Sequence, residues 1–94
     1  MTLEAFILAY AYAHMLRCSH YYGPDDARVR VALFNTVDAD GRVGNAVVWY
    51  RAHGYREPHT VLHVDDGFVD AAHAEHWFRA CVDDADAGNH PRPS

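Results

Sequence analysis

The side chains most able to do chemistry in this sequence are its histidines, cysteines and aspartates, and their spacing restricts what that chemistry can be. In "HAEHW", His73 and His76 are spaced i, i+3, close enough on a helix to share an ion. The spacing is not that of the H-E-x-x-H zinc helix. His14 and Cys18 would share a helix face, and Cys18 and His20 a strand face. A zinc site needs three or four converging ligands, and no spacing here supplies them. The histidines read as surface residues, and neither metal nor cofactor is expected.

Asp38, Asp40 and Gly41 match inner positions of a calcium-binding loop. That loop would begin at Thr36 and end at Val47, where it needs an acid and a bidentate glutamate. A β-turn accounts for the same residues. No GxSxG, no P-loop and no dinucleotide fingerprint occurs. Cys81 falls on an apolar helical stripe, which makes it a packing residue rather than a nucleophile. The chain is not expected to be an enzyme.

The acidic residues form a different pattern. Asp25 and Asp26 fall in a turn, Asp65 and Asp66 precede a helix, and Asp83, Asp84 and Asp86 end it. Negative charge at a helix C-terminus opposes the macrodipole, so the last three lower stability where they stand. They point to a partner-binding role, with Tyr10 and Tyr12 as aromatic anchors beside acidic steering groups.

Charge sets the class of partner. The chain has 94 residues and a formal charge of −5, with thirteen acids against eight arginines and no lysine. Such a balance argues against direct nucleic-acid binding, where phosphate neutralisation supplies most of the affinity. A basic protein surface suits it better. The two cysteines are far apart in sequence, as in a reducing compartment. The longest uncharged run, residues 5–16, is well short of the ~20 residues a spanning helix needs. Glu4 stands where a signal peptide would be basic. A soluble, cytoplasmic protein without membrane contact is expected.

The elements that must position these groups follow from periodicity. In "ARVRVALFNTV", Val29, Val31 and Leu33 alternate with Arg28 and Arg30, which predicts a strand. "DADG" is turn chemistry, and "RVGNAVVWYR" is the return strand. That strand has Val43, Val47 and Trp49 on one face and Ala46, Val48 and Tyr50 on the other, so it should be central and covered on both sides. "TVLHV" is a third short strand. Asp70 is a plausible N-cap for a helix whose apolar stripe is Ala71, Ala74, Trp77, Phe78, Cys81, Val82 and Ala85, ending at Gly88.

The N-terminal segment is ambiguous. As one helix from a Thr2 cap to Tyr22 it would be apolar all round. As strands it would align Phe6, Leu8, Tyr10, Tyr12 and His14 on one face, with a second strand from Met15 entering the Gly23, Pro24, Asp25, Asp26 turn. The predicted fold is α+β: a small antiparallel sheet of three to five strands packed against a C-terminal helix, with an N-terminal helix or extra strand pair. Residues 1–86 make a single globular domain, and residues 87–94 a flexible tail.

In "FILAYAYAH", "ARVRVALFNTV", the Gly-bearing turn after it and "HWF", the chain resembles the small phage-encoded anti-CRISPR proteins that act on type I complexes. The resemblance covers roughly residues 6–44 and the HWF segment, and the stretch between Trp49 and Asp70 departs from it. It implies a compact sheet flanked by short helices, and a non-enzymatic inhibitor in a host cytoplasm. Such an inhibitor binds a CRISPR-Cas surveillance complex and blocks DNA recognition. The family's target-contacting residues have no matching types here, so no site is carried over. Two other readings stand beside it. One is a small-molecule or metal-binding homodimeric domain or enzyme using the histidines. The other is a structural homodimerisation module that buries the N-terminal aromatic face.

Overall fold

Alternation in the two middle strands organises the molecule. The computed structural model describes residues 1–54 and 57–91. Its elements are α1 (Leu3–Leu8), β1 (Tyr12–Cys18), β2 (Val29–Val37), β3 (Val43–Arg51), β4 (Thr60–Asp65) and α2 (Ala71–Asp86). The strands form one antiparallel sheet in the order β1-β2-β3-β4. The α+β fold, the sheet and the C-terminal helix are those predicted.

β2 and residues 46–50 of β3 are buried on both faces, as the doubly apolar pattern of β3 requires. Val43, expected on a covered face, is exposed because β4 does not reach it. On one face Val29, Val31, Leu33, Val47 and Trp49 pack under α2, which contributes Ala74, Phe78 and Ala85. On the other, Ala32, Phe34, Ala46, Val48 and Tyr50 pack under α1, through Leu3 and Phe6. Each fully buried aliphatic or aromatic side chain contributes about 1.5–3 kcal/mol. The β2–β3 hairpin closes on Asp38, whose Oδ1 accepts from the backbone N–H groups of Asp40 and Arg42, each at 2.9 Å. Gly41 supplies the positive φ of 81° that this turn needs.

The N-terminal segment is both alternatives in succession. Thr2 caps α1, its hydroxyl accepting from the Ala5 N–H. The helix stops at Leu8, and β1 begins at Tyr12. A continuous helix to Tyr22 would leave β2 with one unpaired backbone edge, and buried backbone groups must be paired. β1 supplies that pairing, and places Met15 opposite Phe34 on the α1 face. Tyr22 rejoins the sheet by an isolated bridge to Val29. Between them Gly23 takes a φ of 91°, where a Cβ would meet the Ala27 carbonyl oxygen at 2.9 Å.

The helix stripe needs one correction. Ala74, Phe78 and Ala85 are buried and Cys81 and Val82 half-buried, but Ala71 and Trp77 are exposed. Trp77 keeps 43% of its surface in solvent. The contact seam runs Ala74, Phe78, Cys81, Ala85, narrower than the predicted stripe, and Trp77 lies on its flank. Past the helix, Gly88 donates to Ala85 O at 2.9 Å and the His90 ring stacks on Tyr22 at 5.7 Å. Of the predicted tail, residues 92–94 lie outside the described residues. Among the described residues no helix is long and apolar enough to cross a membrane.

Candidate interaction surface

The predicted acidic residues divide into those the fold uses and those it leaves to solvent. At the end of α2, the last turn contains no basic residue. Asp86 is engaged: Tyr22 donates its hydroxyl to Asp86 Oδ1 at 2.9 Å, and His20 Nε2 lies 3.4 Å from the same oxygen. The Tyr22 ring is flanked by His20 at 4.4 Å and His90 at 5.7 Å. Burial, then the neighbouring Asp86 carboxylate, pushes the Tyr22 phenol up to about 12. Asp83 and Asp84 are exposed, and their carboxylates have no hydrogen bond or ion pair among the described residues.

Asp65 and Asp66 differ in the same way. Asp65 Oδ2 accepts from the Trp77 indole N–H and its Oδ1 meets His63 Nε2, both at 2.9 Å. Asp65 therefore ties β4 to α2. Asp66 is exposed and lines a cleft of about 570 Å³ with Tyr10, Thr36, Asp38, Asn45 and Phe68. Burial raises the pKa of the Tyr10 phenol, and the charges of Asp66 and Asp38 raise it further. The Tyr10 ring packs edge-on against Phe6 at 5.4 Å.

The fold thus brings together Tyr10 and Asp66, and adds Asp38, which the sequence assigned only to a turn. Tyr12 lies elsewhere, exposed on β1 and stacked on His14 at 6.2 Å. Asp25 and Asp26 sit in the exposed turn before β2, where the Asp26 carbonyl accepts from Arg51 Nη2 at 2.6 Å.

The arginines are occupied differently. Arg28 and Arg30 stand over the Tyr21 ring at 4.8 and 4.3 Å. Arg30 donates twice to the Ser19 carbonyl, at 3.0 and 2.8 Å, and once to the Tyr21 hydroxyl. The alternation of Arg28 and Arg30 was legible, but Tyr21 meets them only across the sheet edge. Arg17 and Arg79 both pair with Glu75, at 2.6 and 3.3 Å. Among the described residues no aspartate carboxylate has an arginine within ion-pair distance.

No group of three or more potential ligands converges on a metal position among the described residues. His73 is spent at the start of α2, its N–H bonded to Asp70 Oδ1 at 2.8 Å and its Nδ1 accepting from Val69. Burial pushes the Cys81 thiol up, away from the reactive thiolate. No protein-family model, curated protein or solved structure matches this chain.

Proposed function

We propose that this chain is a non-enzymatic binding protein whose acidic surface occupies a basic, nucleic-acid-facing surface of a partner protein assembly. The observation that carries the reading is the absence of any arginine–aspartate ion pair among the described residues, in a chain of net charge −5. Carboxylates left without internal counter-charges project their field outward, where it can steer a basic partner and select against acidic ones. Asp83 and Asp84 add to this, since they oppose the dipole of α2 and their carboxylates have no hydrogen bond or ion pair among the described residues. A CRISPR-Cas surveillance complex of type I, implied by the resemblance above, is the first partner to try. The test is competition: the protein should displace duplex DNA from that complex, and rising salt should weaken its binding. Failure to compete with nucleic acid at any salt concentration would reject the proposal.

A second reading, homodimerisation, has one observation in its favour. β1 is an edge strand of the sheet, and Tyr12 and Leu16 on it are each about half exposed. Sedimentation at increasing protein concentration distinguishes the two.

A further inference from the structure

β3 is longer than the strand beside it. Its residues 47–51 pair with β4, whereas residues 43–46 pair only with β2. After Asp65 the chain leaves the sheet through Asp66, Gly67 and Phe68 toward α2. The 570 Å³ cleft adjoins the position that β4 would fill by continuing: it is bordered by residues 43–45 of β3 and by Phe68, and it reaches over the sheet to Thr36 and Tyr10.

We infer that this cleft receives a short, extended, basic segment of the partner, which continues the sheet where β4 stops. The inference rests on the acidic-surface reading above and assigns it a docking point. An open strand edge accepts extended backbone through main-chain hydrogen bonds, with alternate side chains giving specificity. Residues 43–46 offer room for about four residues at ~3.4 Å each. The outer edge of β4 itself is less available, since Val61 N–H donates to the Met1 carbonyl at 2.9 Å and Thr2 bridges Thr60.

Charge selects the side chains. Two carboxylates, Asp38 and Asp66, face one guanidinium, Arg42, in the lining. Asp38 Oδ1 is committed to the turn, while its Oδ2 has no hydrogen bond among the described residues. A guanidinium entering between Asp38 and Asp66 would also meet the aromatic walls of Tyr10 and Phe68, on which arginine stacks.

The experiment is a titration of the isotope-labelled full chain with a blocked hexapeptide alternating arginine and valine, followed by amide shifts. Binding at the cleft should move Gly44, Asn45, Asp66 and Gly67. The same peptide N-methylated at alternate residues keeps its charge but loses the pairing N–H groups, and should bind about tenfold more weakly. Asp66→Asn should weaken the unmodified peptide about threefold to fivefold, and Glu57→Gln, which does not line the cleft, should leave it unchanged. Equal binding of the N-methylated peptide overturns the inference. Shifts confined to residues 83–87 overturn it too, but leave the acidic-surface reading standing. The same holds if no shifts occur anywhere while the partner complex still binds salt-dependently. Loss of both kinds of binding overturns both.

Discussion

The Tyr22 hydroxyl donates to Asp86 Oδ1 at 2.9 Å across 64 positions of sequence, joining the segment after β1 to the last residue of α2. Tyr22 is only 8% exposed, so its O–H is best served by a protein acceptor. This bond separates Asp86 from Asp83 and Asp84, which share its turn of helix but not its work.

The first prediction follows from that separation. Asp86→Ala should lower stability by about 1–2 kcal/mol, the loss of a hydrogen bond to a charged acceptor (about 1.5–3 kcal/mol) being partly offset by relief of the helix dipole. Asp83→Asn and Asp84→Asn should hold stability or raise it by a few tenths of a kcal/mol each, because each relieves the helix dipole. Urea unfolding of the three variants decides the matter. An Asp86→Ala variant as stable as the unsubstituted chain would mean that the bond contributes nothing.

What the sequence made legible were the features that local chemistry determines. Val29, Val31 and Leu33 announce β2, Asp38 and Gly41 its turn, and Asp70 the start of α2. Less legible were features set by distant partners. α1 ends at Leu8 because β2 needs β1 on its free edge, a demand that "AYAYAH" does not encode. Trp77 turns outward because Asp65, on another element, takes its indole N–H. Tyr10 shares a cleft with Asp66, residues that lie far apart in sequence, a juxtaposition that no single window of residues displays.

The second prediction tests α2. Phe78→Ala should cost about 3–5 kcal/mol, as emptying a buried aromatic site does. Trp77→Ala should cost less, about 1–2 kcal/mol, since much of the ring is already in water. Trp77→Phe removes the N–H and keeps most of the packing, and should cost about 1 kcal/mol. If Trp77→Ala proved as damaging as Phe78→Ala, the seam of α2 would lie one residue away from its assigned position.

The third concerns alkaline pH. An unfolded tyrosine ionises near pH 10, whereas burial and Asp86 hold Tyr22 protonated up to about 12. Between these values the folded chain keeps a proton that the unfolded chain has released. The stabilisation is therefore complete below about pH 10 and is lost as pH rises toward 12. Burial raises Tyr10, Tyr50 and Cys81 as well, which acts in the same direction. Urea midpoints should fall steadily from pH 9 to 11.5, and the fall should be shallower in Tyr22→Phe.

The fourth concerns metal. Because no converging ligand set exists among the described residues, the melting temperature should be unchanged in a strong chelator. Elemental analysis should find no stoichiometric zinc. One zinc per chain, lost together with the fold, would revive the reading of a metal-binding domain that uses the histidines.

The fifth separates binding from folding. Reversing Asp83 and Asp84 to arginine should weaken the complex with the partner and leave the fold intact, because neither carboxylate has a hydrogen bond or ion pair among the described residues. Each reversal places a positive charge at a helix C-terminus, so thermal melts should hold or rise slightly. Reversing Asp86 as well would break its bond to Tyr22 and confuse the two effects, so Asp86 is left in place. Salt should imitate the reversal, since exposed charges act over only about 8–10 Å at physiological ionic strength. Titrations of both proteins should therefore differ at low salt and converge on one weak affinity at high salt. Affinity that survives both the reversal and the salt would exclude the helix end from the interface. Asp66→Arg, at the mouth of the cleft, would then be the variant expected to abolish binding.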